Sequence, residues 1–305
     1  MLLSISDKEV KRKTGFPSRS SLLAYIIVVC NGDFDRIRQR RSPLTWFEEW
    51  FRYFEWKWHQ TCRRQEDCVE EWGIDHHHVN KVKDCKCALE MAAMQSWPRF
   101  ASFNEDYALR DREKWSNYEK ARPIFWDMTN ISAVRFNDAS LQRSTYSEYY
   151  GENCWKGGVS VQLCGWVTNE DLWGGGVSDS NYNNESGYLQ AQEEFQKTDL
   201  VNGKVVKFLN VLDRGYRAKY AAWRTGEQLA IQPPSARSDK RFPGHQTIYA
   251  GTVAHDRSGN ERAVNLCKRS GLMKRGFKQG MSARRFNNAW RTWGFQANFM
   301  FKAVL

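Results

Sequence analysis

Carboxylates that end or interrupt apolar runs are the residues of this sequence best placed to do chemistry. The run 205–212 ends in Asp213 and is followed by Arg214-Gly215-Tyr216. Its β-branched and aromatic residues read as a buried strand. Asp213 then stands at the strand's C-terminal end, the edge where open α/β sheets place their chemistry. Upstream, the run 124–131 carries Asp127 inside it. Downstream, Glu261 lies near the start of a helix read over 258–267, three residues after Ser258, a capping-box spacing. Three carboxylates on one edge cannot all ionise cheaply without cations. Oxygen-rich acidic sites suit Mg²⁺ or Mn²⁺. Two such ions about 4 Å apart activate an attacking oxygen and stabilise a leaving one in phosphodiester displacement. Asp127, Asp213 and Glu261 are therefore the expected catalytic and metal-binding residues, with Asp256 and Glu227 as rival third acids.

The elements that must position these acids follow from the pattern after Pro123. A first strand holds Asp127. Runs at 159–167 and 172–178 follow and suit a three-strand antiparallel meander. Then come a helix over 189–197, the strand that ends in Asp213, a helix over 216–225, and a short strand 229–231 stopped by Pro233-Pro234. Strand, strand, strand, helix, strand, helix, strand, helix is the order of an RNase H-like core, an α/β fold with a mixed five-stranded sheet and flanking helices. Its first and fourth strands lie side by side, which sets Asp127 facing Asp213, and the helix after the fifth strand can bring Glu261 to the same edge. The expected core spans 123–275 and includes a polar, irregular insertion at about 235–257, where Arg241, His245 and His255 could approach phosphate. Gly174-Gly175-Gly176 lacks the Gly-Lys-Ser/Thr ending of a phosphate loop.

The rest of the chain points to a polyanion. Its 305 residues carry a formal net charge of +11, and nucleic acid is the commonest partner of such a protein. Residues 1–41 form a basic N-terminal segment, of which 1–20 are polar and read as loose, with a short helix from 21 to about 29 ended by Asn31-Gly32-Asp33. Residues 42–122 read as a helical, helix-turn-helix-like DNA-binding region. A helix after Ser42-Pro43-Leu44-Thr45 has Phe47, Trp50, Phe51, Phe54 and Trp58 on one face and Glu48, Glu49, Arg52 and Glu55 on the other. A second runs over 65–72 to Gly73, and a third over 76–94 starts at Asp75 as N-cap. The third helix is expected to expose His76, His77, Asn80, Lys81, Lys83 and Lys86. Of these, His76, Asn80, Lys81, Lys83 and Lys86 are the expected DNA contacts. Residues 98–122 read as a charged connecting helix. Residues 276–305 form a basic C-terminal tail expected to face nucleic acid.

Several classes drop out. The longest apolar run near the N-terminus, 22–30, is nine residues, too short to span a bilayer, and no small-residue cleavage site follows it. Eight scattered cysteines are not a disulfide framework. The spacings of Cys62, Cys68, Cys85 and Cys87 beside His76, His77 and His78 do not match zinc-finger patterns.

Four blocks then carry a family resemblance. Trp126-Asp127-Met128-Thr129-Asn130, Gly175-Gly176-Val177-Ser178-Asp179-Ser180, Leu212-Asp213-Arg214-Gly215-Tyr216 and Asn260-Glu261-Arg262 resemble, in order, the blocks of DDE transposases of the PIF/Harbinger type, over residues of about 42–275. The resemblance implies a metal-dependent endonuclease and strand-transfer activity at transposon terminal inverted repeats, working in the nucleus through two Mg²⁺ or Mn²⁺ ions. It implies Asp127, Asp213 and Glu261 as the triad, with Asp179 and Arg214 in supporting positions. It also implies a Myb-like accessory DNA-binding protein, which this chain lacks, and allows a homodimer. The gap from Asp213 to Glu261 is longer than in many members. A reading from another class is a domesticated DNA-binding protein that kept the fold and lost cleavage.

Overall fold

The computed structural model describes residues 5–34, 42–58, 65–213, 229–231, 243–278 and 282–300. In chain order its elements are α1 (Asp7–Thr14), α2 (Arg19–Cys30), α3 (Trp46–Trp58), α4 (Gln65–Trp72), α5 (His76–Ser96), α6 (Phe103–Leu109), β1 (Arg122–Ser132), α7 (Ala139–Thr145), β2 (Tyr146–Ser147), β3 (Glu152–Gln162), β4 (Val167–Asn169) and β5 (Trp173–Gly174). They continue with α8 (Asp179–Glu185), α9 (Tyr188–Thr198), β6 (Leu200–Val201), β7 (Lys204–Val205), β8 (Phe208–Val211), β9 (Leu229–Ile231), α10 (Gly244–Lys268), α11 (Gly271–Arg275) and α12 (Ala283–Met300). The chain divides into two compact units. Unit 1 is Met1–Arg99, Ile131–Val134 and Leu266–Lys302; unit 2 is Phe100–Asn130, Arg135–Asn265 and Ala303–Leu305.

Unit 1 is helical. Residues 1–20 are not loose throughout: Ser6 caps α1, and Val10 and Phe16 are fully buried. Gly15 ends α1 at φ +81, where a Cβ would lie 2.5 Å from Met300 and 2.7 Å from Trp58. Only glycine meets both conditions. The start of α3 is set by Thr45 rather than Pro43. Thr45 and Glu48 exchange side-chain-to-backbone hydrogen bonds, which satisfies amides of the first turn.

The central helix of unit 1 is α5, against which α2, α3, α4 and α12 all pack. That position corrects two expected DNA contacts. Lys86 is fully buried and paired at 2.7 Å with Glu49, and its ammonium lies 5.2 Å from the Trp50 ring centroid. Lys83 is buried with its ammonium 4.8 Å from Trp56 and 5.5 Å from Trp72. The tryptophans of α3 and α4 give these cations π-faces inside the unit, so they need not face water. Glu49 and Glu55, expected on an outer face, are buried with them. A second buried network centres on Glu90, which accepts from Tyr25, Tyr53 and Lys57; Lys57 also donates to Thr292 of α12 at 2.9 Å. The C-terminal stretch is therefore no solvated basic tail: α12 buries Phe286, Trp290, Trp293 and Phe295.

Unit 2 is α/β, with a mixed sheet in the order β2-β3-β1-β8-β9. β1 and β8 are parallel, as are β8 and β9. β2, β5 and β4 pair antiparallel along successive stretches of β3, so the third strand of the expected meander is present only as the two short pieces β4 and β5. Both sheet faces are covered. Ile124, Trp126, Phe208 and Leu212 join Tyr182 and Tyr188 on one. Phe125 and Val211 join Trp115, Tyr118, Leu163 and Val253 of α10 on the other. The triple glycine is a packing device, because a Cβ at Gly174 would lie 2.1 Å from the Ser144 carbonyl and one at Gly175 2.3 Å from Cys154 Sγ.

Charges near the entry to β1 are also inside. Asp106 accepts from Arg110 at 2.7 Å and from the Cys164 N–H at 2.8 Å. Arg122, fully buried, pairs with Asp199 at 2.6 Å over the Phe208 ring. Residues 98–122 thus form the short α6 and a 3₁₀ turn pinned by buried ion pairs, not one connecting helix. Finally, α10 begins at Gly244. The stretch 244–257 is helical rather than irregular, and Ser258 lies inside the helix rather than capping it. The helix expected over 216–225 lies outside the described residues.

Candidate functional site

The period of a strand and the period of a helix together place the site. Phe125 of β1 and Val211 of β8 are register partners in a parallel pair, and both pack with Val253 of α10. Two residues further along, on the same face, stand Asp127 within β1 and Asp213 just past the end of β8. One turn further along α10, on the same side as Val253, stands Arg257. Four helical residues and two strand residues each advance about 6 Å, so the three side chains come level. Arg257 donates to Asp213 Oδ1 at 2.8 Å and to Asp127 Oδ2 at 3.3 Å.

The two carboxylates differ in environment. The Asp127 side chain is 24% exposed and that of Asp213 48%. Burial pushes the Asp127 carboxyl up to about 6; the Arg257 guanidinium and the Met128 N–H, which donates to it at 2.8 Å, pull the other way. Asp213 and Asp179 add to the upward push, which puts Asp179 within electrostatic reach of the pair. Asp179, at the start of α8, accepts from Lys156 Nζ at 2.8 Å; the same ammonium donates to the Val177 carbonyl at 2.6 Å. The centre is thus two aspartates bridged by one guanidinium, with the Asp179–Lys156 ion pair within electrostatic reach of Asp127.

Neither expected third acid reaches it. Glu261 is exposed on α10. It stands one turn past Arg257, about 6 Å beyond the level of the aspartates by helix geometry. Asp256 is buried and accepts from Tyr118 at 2.8 Å, with His255 at 3.4 Å. Among the described residues no group of three His, Cys, Asp or Glu side chains is assembled that could hold a metal ion. Asp127 and Asp213 do fit a hard divalent cation, since two carboxylate oxygens already turn to one positive group. Further along the same two elements, past the aspartates, are polar atoms with no hydrogen-bond partner among the described residues: the buried Thr129 hydroxyl of β1 and both amide atoms of the fully buried Asn260 of α10.

No family model, curated protein or solved structure matches this chain.

The other expected site residues fall as follows. Arg214, Glu227 and Arg241 lie outside the described residues. His245 and His255 are exposed on α10 rather than held in a loop. In unit 1, His76, His77 and Lys81 are exposed on α5 and Asn80 is half-buried, while Lys83 and Lys86 belong to the interior. The residues that sequence reasoning passed over are Arg257 and Lys156. Arg257 was accessible from its four-residue spacing to Glu261 on any helix that contains both. Nothing around Lys156 in the sequence marks it. Among the described residues, no helix is long and apolar enough to cross a membrane.

Proposed function

We propose that unit 2 is the catalytic core of a metal-dependent DNA endonuclease of the DDE transposase kind, built on an RNase H-like sheet. The observation that carries the reading is the Asp127–Asp213 pair just past the paired stretch of the adjacent parallel strands β1 and β8, with both carboxylates turned to a shared cation. The order β3-β1-β8-β9, with β4 and β5 beyond on β3, supports it, because it matches strands 2-1-4-5 with strand 3 at the edge.

In this reading Asp127 and Asp213 hold Mg²⁺ or Mn²⁺, which supplies activation of the attacking oxygen and charge stabilisation of the leaving one. Asp213, the more exposed, faces the incoming phosphate. Asp127 is held in place by the Met128 N–H. Asp179 and Lys156 close one side. Double-stranded DNA at transposon ends is the proposed substrate, drawn by the +11 charge. His76, Asn80 and Lys81 remain its proposed contacts on unit 1. A Myb-like partner, a homodimer and a nuclear setting belong to the same proposal.

A second reading, a DNA-binding protein that has lost cleavage, is favoured by a different observation: Arg257 lies between the aspartates while Glu261 stands away. Nicking of supercoiled plasmid in Mg²⁺ or Mn²⁺ separates the two. Metal-dependent nicking that Asp213→Asn abolishes, with DNA binding kept, supports the endonuclease. Binding without nicking by the wild type favours the second reading.

A further inference from the structure

A cleft of about 790 Å³ opens beside the acidic centre, within unit 2. It is lined by Arg143, Tyr146, Tyr149, Lys156, Gly176 and Ser178, among others. Three features of its wall need explaining. Tyr146 and Tyr149 are 41% and 88% exposed, and Tyr149 meets Tyr150, which lies outside the lining, edge to face at 4.8 Å. Such rings contribute little to the core of unit 2. Arg143 is exposed and makes no ion pair among the described residues. Lys156 joins the cleft to the centre, because this lining residue donates from its ammonium to Asp179. One acid, Glu148, also lines the wall, so the cleft is not uniformly basic.

Exposed aromatic faces beside the guanidinium of Arg143, with the Asp179-bonded ammonium of Lys156 on the same wall, match a nucleobase next to its phosphates. Every base has a π-face to stack, and stacking tolerates any sequence. A Cβ at Gly176 would lie 3.2 Å from the Tyr146 carbonyl, so glycine there lets the wall pack closely against the Tyr146 backbone.

We propose that this cleft is a nucleotide subsite. It would stack one unpaired base on Tyr146 or Tyr149 while Arg143 and Lys156 face the adjoining phosphates. Its meaning as a position next to the scissile phosphate rests on the endonuclease reading; base binding itself does not.

The test uses the full chain in EDTA, so that cleavage plays no part. Anisotropy is measured with a labelled ten-nucleotide single strand and with its abasic counterpart of equal charge. The base-bearing strand is expected to bind about 5- to 150-fold tighter, the span of one stacked base. Tyr146→Ala/Tyr149→Ala removes that preference and leaves abasic affinity unchanged. Both tyrosines are exposed, so circular dichroism melting should match the wild type. Equal binding of the two strands by the wild type, or an unchanged preference in the double variant, overturns the subsite. Loss of self-association in place of loss of base preference also overturns it, by assigning the tyrosines to a second copy of the chain. Failure of nicking with a tyrosine-dependent base preference intact removes the endonuclease reading alone.

Discussion

Replacing Arg257 with glutamine isolates the charge that joins the two aspartates. The guanidinium is 11% exposed and bonds Asp213 at 2.8 Å and Asp127 at 3.3 Å. Removing one member of a buried ion pair costs about 3–5 kcal/mol. Asp213 is nearly half exposed, so water screens much of that, and a loss of about 1–3 kcal/mol at neutral pH is the discounted expectation. The sign of the pH dependence follows from Asp127. Its folded-state value, about 6, already lies above that of the unfolded chain. The stability it contributes is fully present below the unfolded value and is lost as pH rises through the folded one. Arg257 holds that folded value down, so Arg257→Gln pushes it further up, and the variant's deficit should shrink on acidification from pH 7.5 to pH 5.

The same variant tests the cation. A divalent ion taking the guanidinium's place would stabilise by about 2.7 kcal/mol at a hundredfold excess over its dissociation constant. In the wild type it must first displace Arg257. Mn²⁺ should therefore raise the urea midpoint of Arg257→Gln more than that of the wild type. A deficit unchanged between the two pH values would refute the electrostatic account. An Mn²⁺ shift no larger in the variant would refute the idea that metal and guanidinium share one place.

Two further outcomes follow from the interior of the protein. Lys86→Met should cost about 3–5 kcal/mol in urea unfolding, because it strips the buried Glu49 of its cation. Exposed Lys81→Ala should leave stability within about 0.5 kcal/mol and lower only DNA affinity, measured by anisotropy; the reverse pattern would return Lys86 to the DNA-binding surface. Burial pushes the thiols of Cys30 and Cys87 up to about 11 and that of Cys164 up to about 12. At pH 8 iodoacetamide should therefore label these three slowly in the native chain and rapidly in urea, as read by mass spectrometry.

The parts of the fold that were legible in the sequence are those where apolar period and punctuation agree. β1 and β8 read as strands because both their faces are buried, which makes their sequences nearly continuous apolar runs. Asp75, Gly73 and Asn31 mark helix ends through their own cap chemistry. What escaped is the burial of charge. Asp106, Arg110, Arg122, Glu49, Lys86, Lys57 and Glu90 are all interior, each with an opposite charge as partner. A sequence shows the charges and not the pairing that permits them to be buried. The same blindness hid the start of α10, 244–257, whose inward face carries Asp256 and Arg257 beside Ala250 and Val253. With only two apolar residues on it, that face makes no apolar stripe long enough to reveal the helix.

The start of α10 decides the chemistry of the centre. A helix beginning at Ser258 would leave Arg257 outside it and make Glu261 the first inward-facing carboxylate after the fifth strand. A helix beginning at Gly244 fixes the phase earlier, through Val253 against Phe125 and Val211. With that phase set, the residue level with Asp127 and Asp213 is the one four positions after Val253, an arginine. Glu261 falls one turn too far. Movement of α10 along its axis by one turn, about 5.4 Å, would exchange the two: the guanidinium would leave the aspartates as the third carboxylate arrived. The acidic centre then depends less on which acids the chain carries than on the register of one helix against two strands. Val253, one turn before Arg257 and without a polar group of its own, is the residue that sets it.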